Sequence, residues 1–133
     1  MTERLKNKYD NFSDALKRLN EMNVAYKKNK GGEYGEMARD ALIQRFEFTY
    51  ELAWKSLKEF LIFSGYADVT SPRSVLETAY REGFINNESV WLGMMNDRNV
   101  TAHVYKEEQA TEIAENISLK YCKELSALKK LFE

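Results

Sequence analysis

The sequence contains very few of the residues that interrupt helices or cross-link a chain. In 133 residues there are one proline, one cysteine and one histidine. A single proline allows long uninterrupted helices, and the lone cysteine, Cys122, can form no internal disulfide. Its neighbours in LKYCKEL offer no second metal ligand, so we expect a half-buried thiol in a helix and a stability that comes from core packing.

Long hydrophobic runs are missing too. The N-terminal stretch MTERLKNKYDNF lacks the apolar centre of a signal peptide. No run approaches the roughly 18 apolar residues that span a bilayer. With no disulfide framework either, the sequence predicts a cytoplasmic protein that does not enter a membrane.

The motifs of several catalytic classes are absent as well. There is no histidine-rich cluster, no cysteine pair and no Asp-x-Asp motif for a metal ion. The glycines at 31, 32 and 35 follow no strand, so they do not form a phosphate-binding loop of the nucleotide-binding kinds. The sequence therefore predicts neither a metal centre nor a cofactor.

Charge is nearly balanced overall but unevenly distributed. The net charge is −1, which does not favour general binding to nucleic acids. Residues 1–30 nevertheless carry eight Lys and Arg against four Asp and Glu. This basic first segment could lie along RNA or an acidic partner, or it could simply be a solvated helix face.

Apolar residues recur at three- and four-residue steps, the pattern of helices with one buried face. Three long segments show it, at roughly 3–28, 36–64 and 107–131, and a fourth begins in NNES and carries Trp91. A short helix lies before the fourth, in TSPRSVLETAYREG. Its serine is a good N-cap, its proline fits the first turn and its glycine fits the C-terminal stop.

These segments predict an all-α fold. Long amphipathic helices joined by short connections favour an antiparallel up-and-down bundle, here with four long helices and one short one. The length suits a single domain over residues 1–133.

One residue breaks the apolar stripe of the fourth helix. Continuing that stripe from Trp91 through Met95 leads to Arg98. A buried unpaired charge is costly, so this arginine must have a partner. Either it pairs with a carboxylate of a neighbouring helix, such as Glu47 or Glu51, or it binds an anion, for which phosphate is the best match.

The only histidine, His103, lies five residues beyond Arg98. On an ideal helix the two side chains would point about 140° apart. They can meet only if the helix ends or distorts after Asn99, or if a second protomer contributes to the same cleft. Together they would suit metal-independent RNA cleavage, with the imidazole moving a proton and the guanidinium stabilising negative charge. A purely structural histidine is the alternative.

The segment RNVTAHVY resembles the signature of the HEPN superfamily, in the form seen in HepT-type toxins, where a tyrosine follows two residues after the histidine. The stretches FEFTYELAWKSLKEFL, SPRSVLETAYREGFI and WLGMMNDRNVTAHVY resemble consecutive blocks of the nucleotidyltransferase substrate-binding proteins, a HEPN branch. The resemblance covers roughly residues 40–125.

This resemblance implies a helical bundle that dimerises and is encoded beside a minimal nucleotidyltransferase. In HepT-type toxin–antitoxin pairs the HEPN protein is an RNase, and the nucleotidyltransferase silences it by attaching AMP to the motif tyrosine. Carried onto this chain, Arg98 and His103 would be catalytic, Asn99 would bind substrate and Tyr105 would be modified. The implied partners are the nucleotidyltransferase, RNA and a second copy, with neither membrane nor DNA.

The same resemblance extends to the second helix. Glu51 and Lys55 fall within a matching block, where they could support the cleft or form only a surface ion pair four residues apart. Trp54, beside the apolar stripe, is better suited to a core or dimer contact than to stacking on a base.

Three functions therefore stay open at the level of sequence. The first is a ribonuclease toxin silenced by AMP transfer. The second is a non-catalytic subunit that binds a substrate or nucleotide for a nucleotidyltransferase. The third is a helical interaction module with a degenerate site, against which the intact Arg98, Asn99, His103 and Tyr105 argue.

Overall fold

The computed structural model describes residues 1–133 as an all-α protein without strands, and it confirms the predicted bundle. The helices are α1 Glu3–Asn29, α2 Gly35–Phe63, α3 Pro72–Arg81, α4 Glu88–Thr101 and α5 Glu107–Asn116, which runs through a π turn, Ile117–Tyr121, into α6 Cys122–Lys129 and a final 3-10 turn, Lys130–Phe132. The predicted fifth helix is thus one long rod with a π turn in its middle, which the sequence pattern did not reveal.

The short helix α3 begins and ends as its sequence predicts. The Ser71 hydroxyl accepts a hydrogen bond from the Ser74 backbone N–H at 3.1 Å, and the Ser74 hydroxyl accepts one from the Ser71 backbone N–H at 3.0 Å. Pro72 occupies the first turn, where no backbone donor is needed. Gly83 ends the helix with a φ of 80°, a conformation that glycine adopts without strain.

The core is built around α2. The helices α1 and α2 form the most extensive pair, and α3, α4 and α5 each pack on α2 as well. One continuous cluster of buried side chains draws on every α-helix, including Phe12, Phe46, Val75, Trp91 and Leu125. None of the helices combines the length and the apolar character that crossing a bilayer requires.

Cys122 is more deeply buried than the sequence predicts. It opens α6 immediately after the π turn and is only 6% exposed. The reason is that α6 packs on both α1 and α2, so this part of the rod is enclosed on more than one side. Burial raises the pKa of the Cys122 thiol to about 11.

The π turn lies against α4. Tyr121, its last residue, stacks on Phe46 with ring centroids 5.3 Å apart and donates a hydrogen bond to Asp97 Oδ2 at 2.5 Å. Asn116 donates to the same carboxylate oxygen at 3.3 Å. These contacts hold Asp97, and with it the last turns of α4, against the long rod.

Candidate functional site

Arg98 lies in the last turn of α4 and faces α2. Its Nη1 donates to Glu47 Oε2 at 2.7 Å, and its Nε lies 3.5 Å from Glu51 Oε1. The predicted ion pair with a neighbouring helix therefore forms with both carboxylates. The Arg98 side chain is still 26% exposed, so it remains partly open to solvent.

Glu47 is held in place from a second direction. The Thr101 hydroxyl lies 3.0 Å from Glu47 Oε2 and 3.1 Å from the Arg98 carbonyl oxygen, within hydrogen-bonding distance of both. Thr101 is itself buried at the end of α4. Glu47 is thus fixed to the same turn of helix that carries Arg98. Thr101 was not predicted as a site residue. Its position three residues after Arg98, on the same face of the helix, was the one feature of the sequence that could have indicated it.

Glu51 is shared among three neighbours. One carboxylate oxygen faces Arg98, and the other accepts a hydrogen bond from Trp54 Nε1 at 3.1 Å. Lys55 Nζ lies 3.8 Å from that second oxygen, so the i,i+4 ion pair predicted as the simpler interpretation is present. Trp54 is half-buried and packs on the core.

Two buried polar atoms at the site have no hydrogen-bond partner, Arg98 Nε and the Tyr50 hydroxyl. The contact from Arg98 Nε to Glu51 is ionic and lacks hydrogen-bond geometry. Burial raises the pKa of Tyr50, the charge of Glu51 raises it further, and Arg98 opposes the shift. Tyr50 therefore stays protonated beside the ion pair.

His103 lies just beyond the end of α4. The last turn closes through hydrogen bonds from the Ala102 N–H to the Arg98 carbonyl at 3.1 Å and from the His103 N–H to the Val100 carbonyl at 3.2 Å. The helix therefore ends at Thr101, two residues before His103, which satisfies the condition that it end beyond Asn99 if His103 is to approach Arg98. The His103 side chain is exposed and makes no hydrogen bond to Arg98, so their convergence stays a prediction. Asn99 is exposed on the last turn.

Tyr105 follows in the connection to α5 and is half-buried against the core. Burial raises its pKa, the negative charges of Asp40 and Glu47 add to the shift, and Arg39 opposes it. All three charged residues belong to α2, and Glu47 is also the main partner of Arg98.

A shallow pocket of about 250 Å³ opens beside the ion pair, lined by Gln44, Glu47, Phe48, Glu51 and Arg98. Phe48 is 64% exposed and also borders a larger groove between α1 and α2. Phe48 was not predicted as a site residue, although its position off the apolar stripe of α2 was the available signal. No three His, Cys, Asp or Glu side chains are arranged to hold a metal ion.

The chain matches a known family over nearly its whole length. The profile of the family described as "Nucleotidyltransferase substrate binding protein like" matches residues 7–133. The chain therefore belongs to the nucleotidyltransferase substrate-binding protein family, which confirms the resemblance drawn from its sequence blocks.

Two individual proteins are similar to this chain. A Haemophilus influenzae protein named "Probable ribonuclease HepT" is 35% identical over 75 residues, which cover 53% of this chain and 51% of that protein. The chain thus spans about half the length of the curated relative that it matches. A crystal structure of a protein from Thermus thermophilus superposes with a TM-score of 0.76 at 30% identity, covering 92% of this chain and 99% of the other.

Proposed function

We propose that this protein is a metal-independent endoribonuclease of the HEPN toxin type, silenced when a partner nucleotidyltransferase transfers AMP to Tyr105. The observation that carries the proposal is the end of α4. There a partly exposed arginine lines an open pocket, and an exposed histidine lies five residues further on, just beyond the helix terminus. The similarity to a protein named as a probable ribonuclease supports the same assignment.

The two side chains have complementary roles in RNA cleavage. The ribose 2′-hydroxyl attacks the adjacent phosphorus, the bond to the 5′-oxygen breaks, and a 2′,3′-cyclic phosphate forms. His103 accepts the proton of the attacking hydroxyl or donates one to the leaving oxygen. Arg98 stabilises the charge that builds up on the phosphate oxygens, and Asn99 binds the substrate beside it.

A second copy of the chain completes this chemistry. One histidine per chain supplies either the base or the acid, whereas both oxygens need a proton transfer. A two-fold dimer that brings two pockets together supplies both imidazoles. The exposed Phe48 beside the pocket supports such a contact, because exposed aromatic side chains are enriched at protein interfaces.

Silencing follows from the position of Tyr105. Its phenol oxygen attacks the α-phosphate of ATP, pyrophosphate leaves, and the phenolic proton is lost. A phenol is protonated at neutral pH, and burial raises the pKa of Tyr105 further, so the nucleotidyltransferase has to accept that proton. The attached AMP adds negative charge and bulk near Glu47, which repels and blocks an RNA phosphate.

The direct test is RNA cleavage by the purified protein in excess chelator. We expect cleavage by the wild type and a loss of about 100-fold or more in Arg98→Ala and His103→Ala. Arg73→Ala is the matched control, since Arg73 pairs with Glu77 on the surface of α3. Undiminished cleavage by both site variants, each folded by circular dichroism, would refute the assignment.

The silencing step has its own test. Co-expression with the nucleotidyltransferase should add the mass of AMP to the peptide that contains Tyr105. The addition should be lost in Tyr105→Phe and kept in Tyr80→Phe, which changes an exposed tyrosine on α3. An AMP group found on another residue, or on none, contradicts this step.

A second function is a non-catalytic subunit that binds a substrate or nucleotide for a nucleotidyltransferase. The observation that favours it is the charge balance of the site, where Arg98 and Lys55 face Glu47 and Glu51. Because its charges cancel, such a site binds phosphate weakly on its own, which suits a subunit that binds its ligand together with the nucleotidyltransferase. An absence of metal-free cleavage, together with nucleotide-dependent binding to the nucleotidyltransferase, would establish this alternative.

A further inference from the structure

The two carboxylates that contact Arg98 hold it in different ways. Glu47 accepts a hydrogen bond from Nη1 at 2.7 Å and is fixed by the buried Thr101 hydroxyl. Glu51 lies 3.5 Å from Nε without forming a hydrogen bond. One contact is therefore a firm, geometrically specific pair, and the other is a loose ionic one.

The loose contact covers the atom that phosphate recognition needs. A guanidinium binds phosphate through two parallel N–H donors, and the edge formed by Nε and a terminal nitrogen presents such a pair. In this structure Arg98 Nε is buried and has no hydrogen-bond partner, and Glu51 Oε1 lies 3.5 Å from it. The Glu51 oxygen stands where a phosphate oxygen would bind.

Glu51 also has a second cation within reach. Its other oxygen already accepts from Trp54 Nε1 at 3.1 Å and lies 3.8 Å from Lys55 Nζ. Lys55 is on the same helix, one turn further on, so a small rotation of the Glu51 side chain exchanges one cation for another. Glu47 has no comparable second cation among its contacts.

We infer that Glu51 is a displaceable counter-ion, which an incoming phosphate group moves from Arg98 onto Lys55, while Glu47 positions the guanidinium throughout. The inference rests on the proposed function, because it assigns a phosphodiester as the ligand of Arg98. It gives the two acidic residues opposite effects on affinity. Glu51 competes with the phosphate for Arg98 and so lowers the affinity. Glu47 holds the guanidinium in position and so raises the affinity.

The test measures the binding of inorganic phosphate by NMR, following the Arg98 Nε–H resonance at constant ionic strength. Glu51→Gln should lower the Kd for phosphate by about fivefold, the range of a partly exposed ion pair. Glutamine keeps an oxygen that accepts from Trp54, so the fold is undisturbed. Glu47→Gln should weaken binding, and Glu77→Gln, which removes an equal charge from α3, should leave it unchanged.

Three results would overturn the inference. These are weaker binding by Glu51→Gln, an equal tightening by Glu47→Gln, and a tightening by Glu77→Gln as large as that of Glu51→Gln, which would indicate a general charge effect. For the transfer to Lys55, Lys55→Gln should reduce affinity more in the wild type than in Glu51→Gln. An equal loss in both refutes that transfer.

Inorganic phosphate keeps this test separate from the proposed ribonuclease activity. If RNA is not cleaved but Glu51→Gln still tightens phosphate binding, the displaceable counter-ion stands and the cleavage assignment falls. If RNA is cleaved but Glu51→Gln does not tighten binding, the reverse holds.

Discussion

Replacing Gly93 by alanine should have opposite effects on stability depending on the residue at position 121. Gly93 lies inside α4, and a Cβ added there would be 3.1 Å from the Tyr121 hydroxyl oxygen. The next nearest atoms, in the ring of Tyr121, are 3.8 Å away, which is ordinary van der Waals contact. The hydroxyl alone therefore makes the position tight.

The hydroxyl cannot move aside easily. Tyr121 is 4% exposed, stacks on Phe46 and donates to Asp97. Alanine gains about 0.5–1 kcal/mol over glycine within a helix. Disturbing a hydrogen bond to a charged group costs about 1.5–3 kcal/mol. The loss outweighs the gain, so Gly93→Ala should destabilise the wild type by about 1 kcal/mol, or roughly 4 °C in Tm.

In Tyr121→Phe the obstructing oxygen is gone, and only the gain remains. Gly93→Ala should then stabilise that variant by about 0.5–1 kcal/mol. Urea denaturation of the four proteins, followed by far-UV circular dichroism, completes the double-mutant cycle. An effect of Gly93→Ala that is the same in both backgrounds would refute the reasoning.

Two further predictions concern groups that burial keeps protonated. Burial is the main cause that raises the pKa of Tyr50 and that of Tyr121. Above about pH 10 the unfolded chain therefore loses protons that the folded chain keeps. The free energy of unfolding should then fall by about 1.4 kcal/mol per pH unit for each tyrosine. Urea denaturation between pH 9 and about 11.5 measures this slope, and Tyr121→Phe should be less steep than the wild type; equal slopes contradict the prediction. For Cys122, with its pKa near 11 and its side chain buried, a thiol reagent at neutral pH should react far more slowly with the folded protein than with the urea-unfolded one. Equal rates would show that the thiol is accessible.

The positions of the helices and the end of α4 could be predicted from the amino-acid sequence alone. The signals for both are local: Ser71 and Gly83 delimit α3 through hydrogen bonds and a φ that span one turn. The poor helix propensity of the residues after Arg98 likewise favours an end of α4 before His103, and the structure has that end at Thr101. The segment RNVTAHVY and the sequence blocks around it also indicated the family, which the profile match confirms.

The pairing of side chains within the site depends on how the helices pack. Glu47 and Arg98 are 51 residues apart, and they meet because core packing sets the register of α4 on α2. The π turn that brings the Tyr121 hydroxyl to Asp97 leaves both of its end residues, Ile117 and Tyr121, buried, so the apolar pattern of a regular helix conceals it. Periodicity reports which face of a helix is buried, whereas the partner of a particular side chain depends on how distant segments pack together.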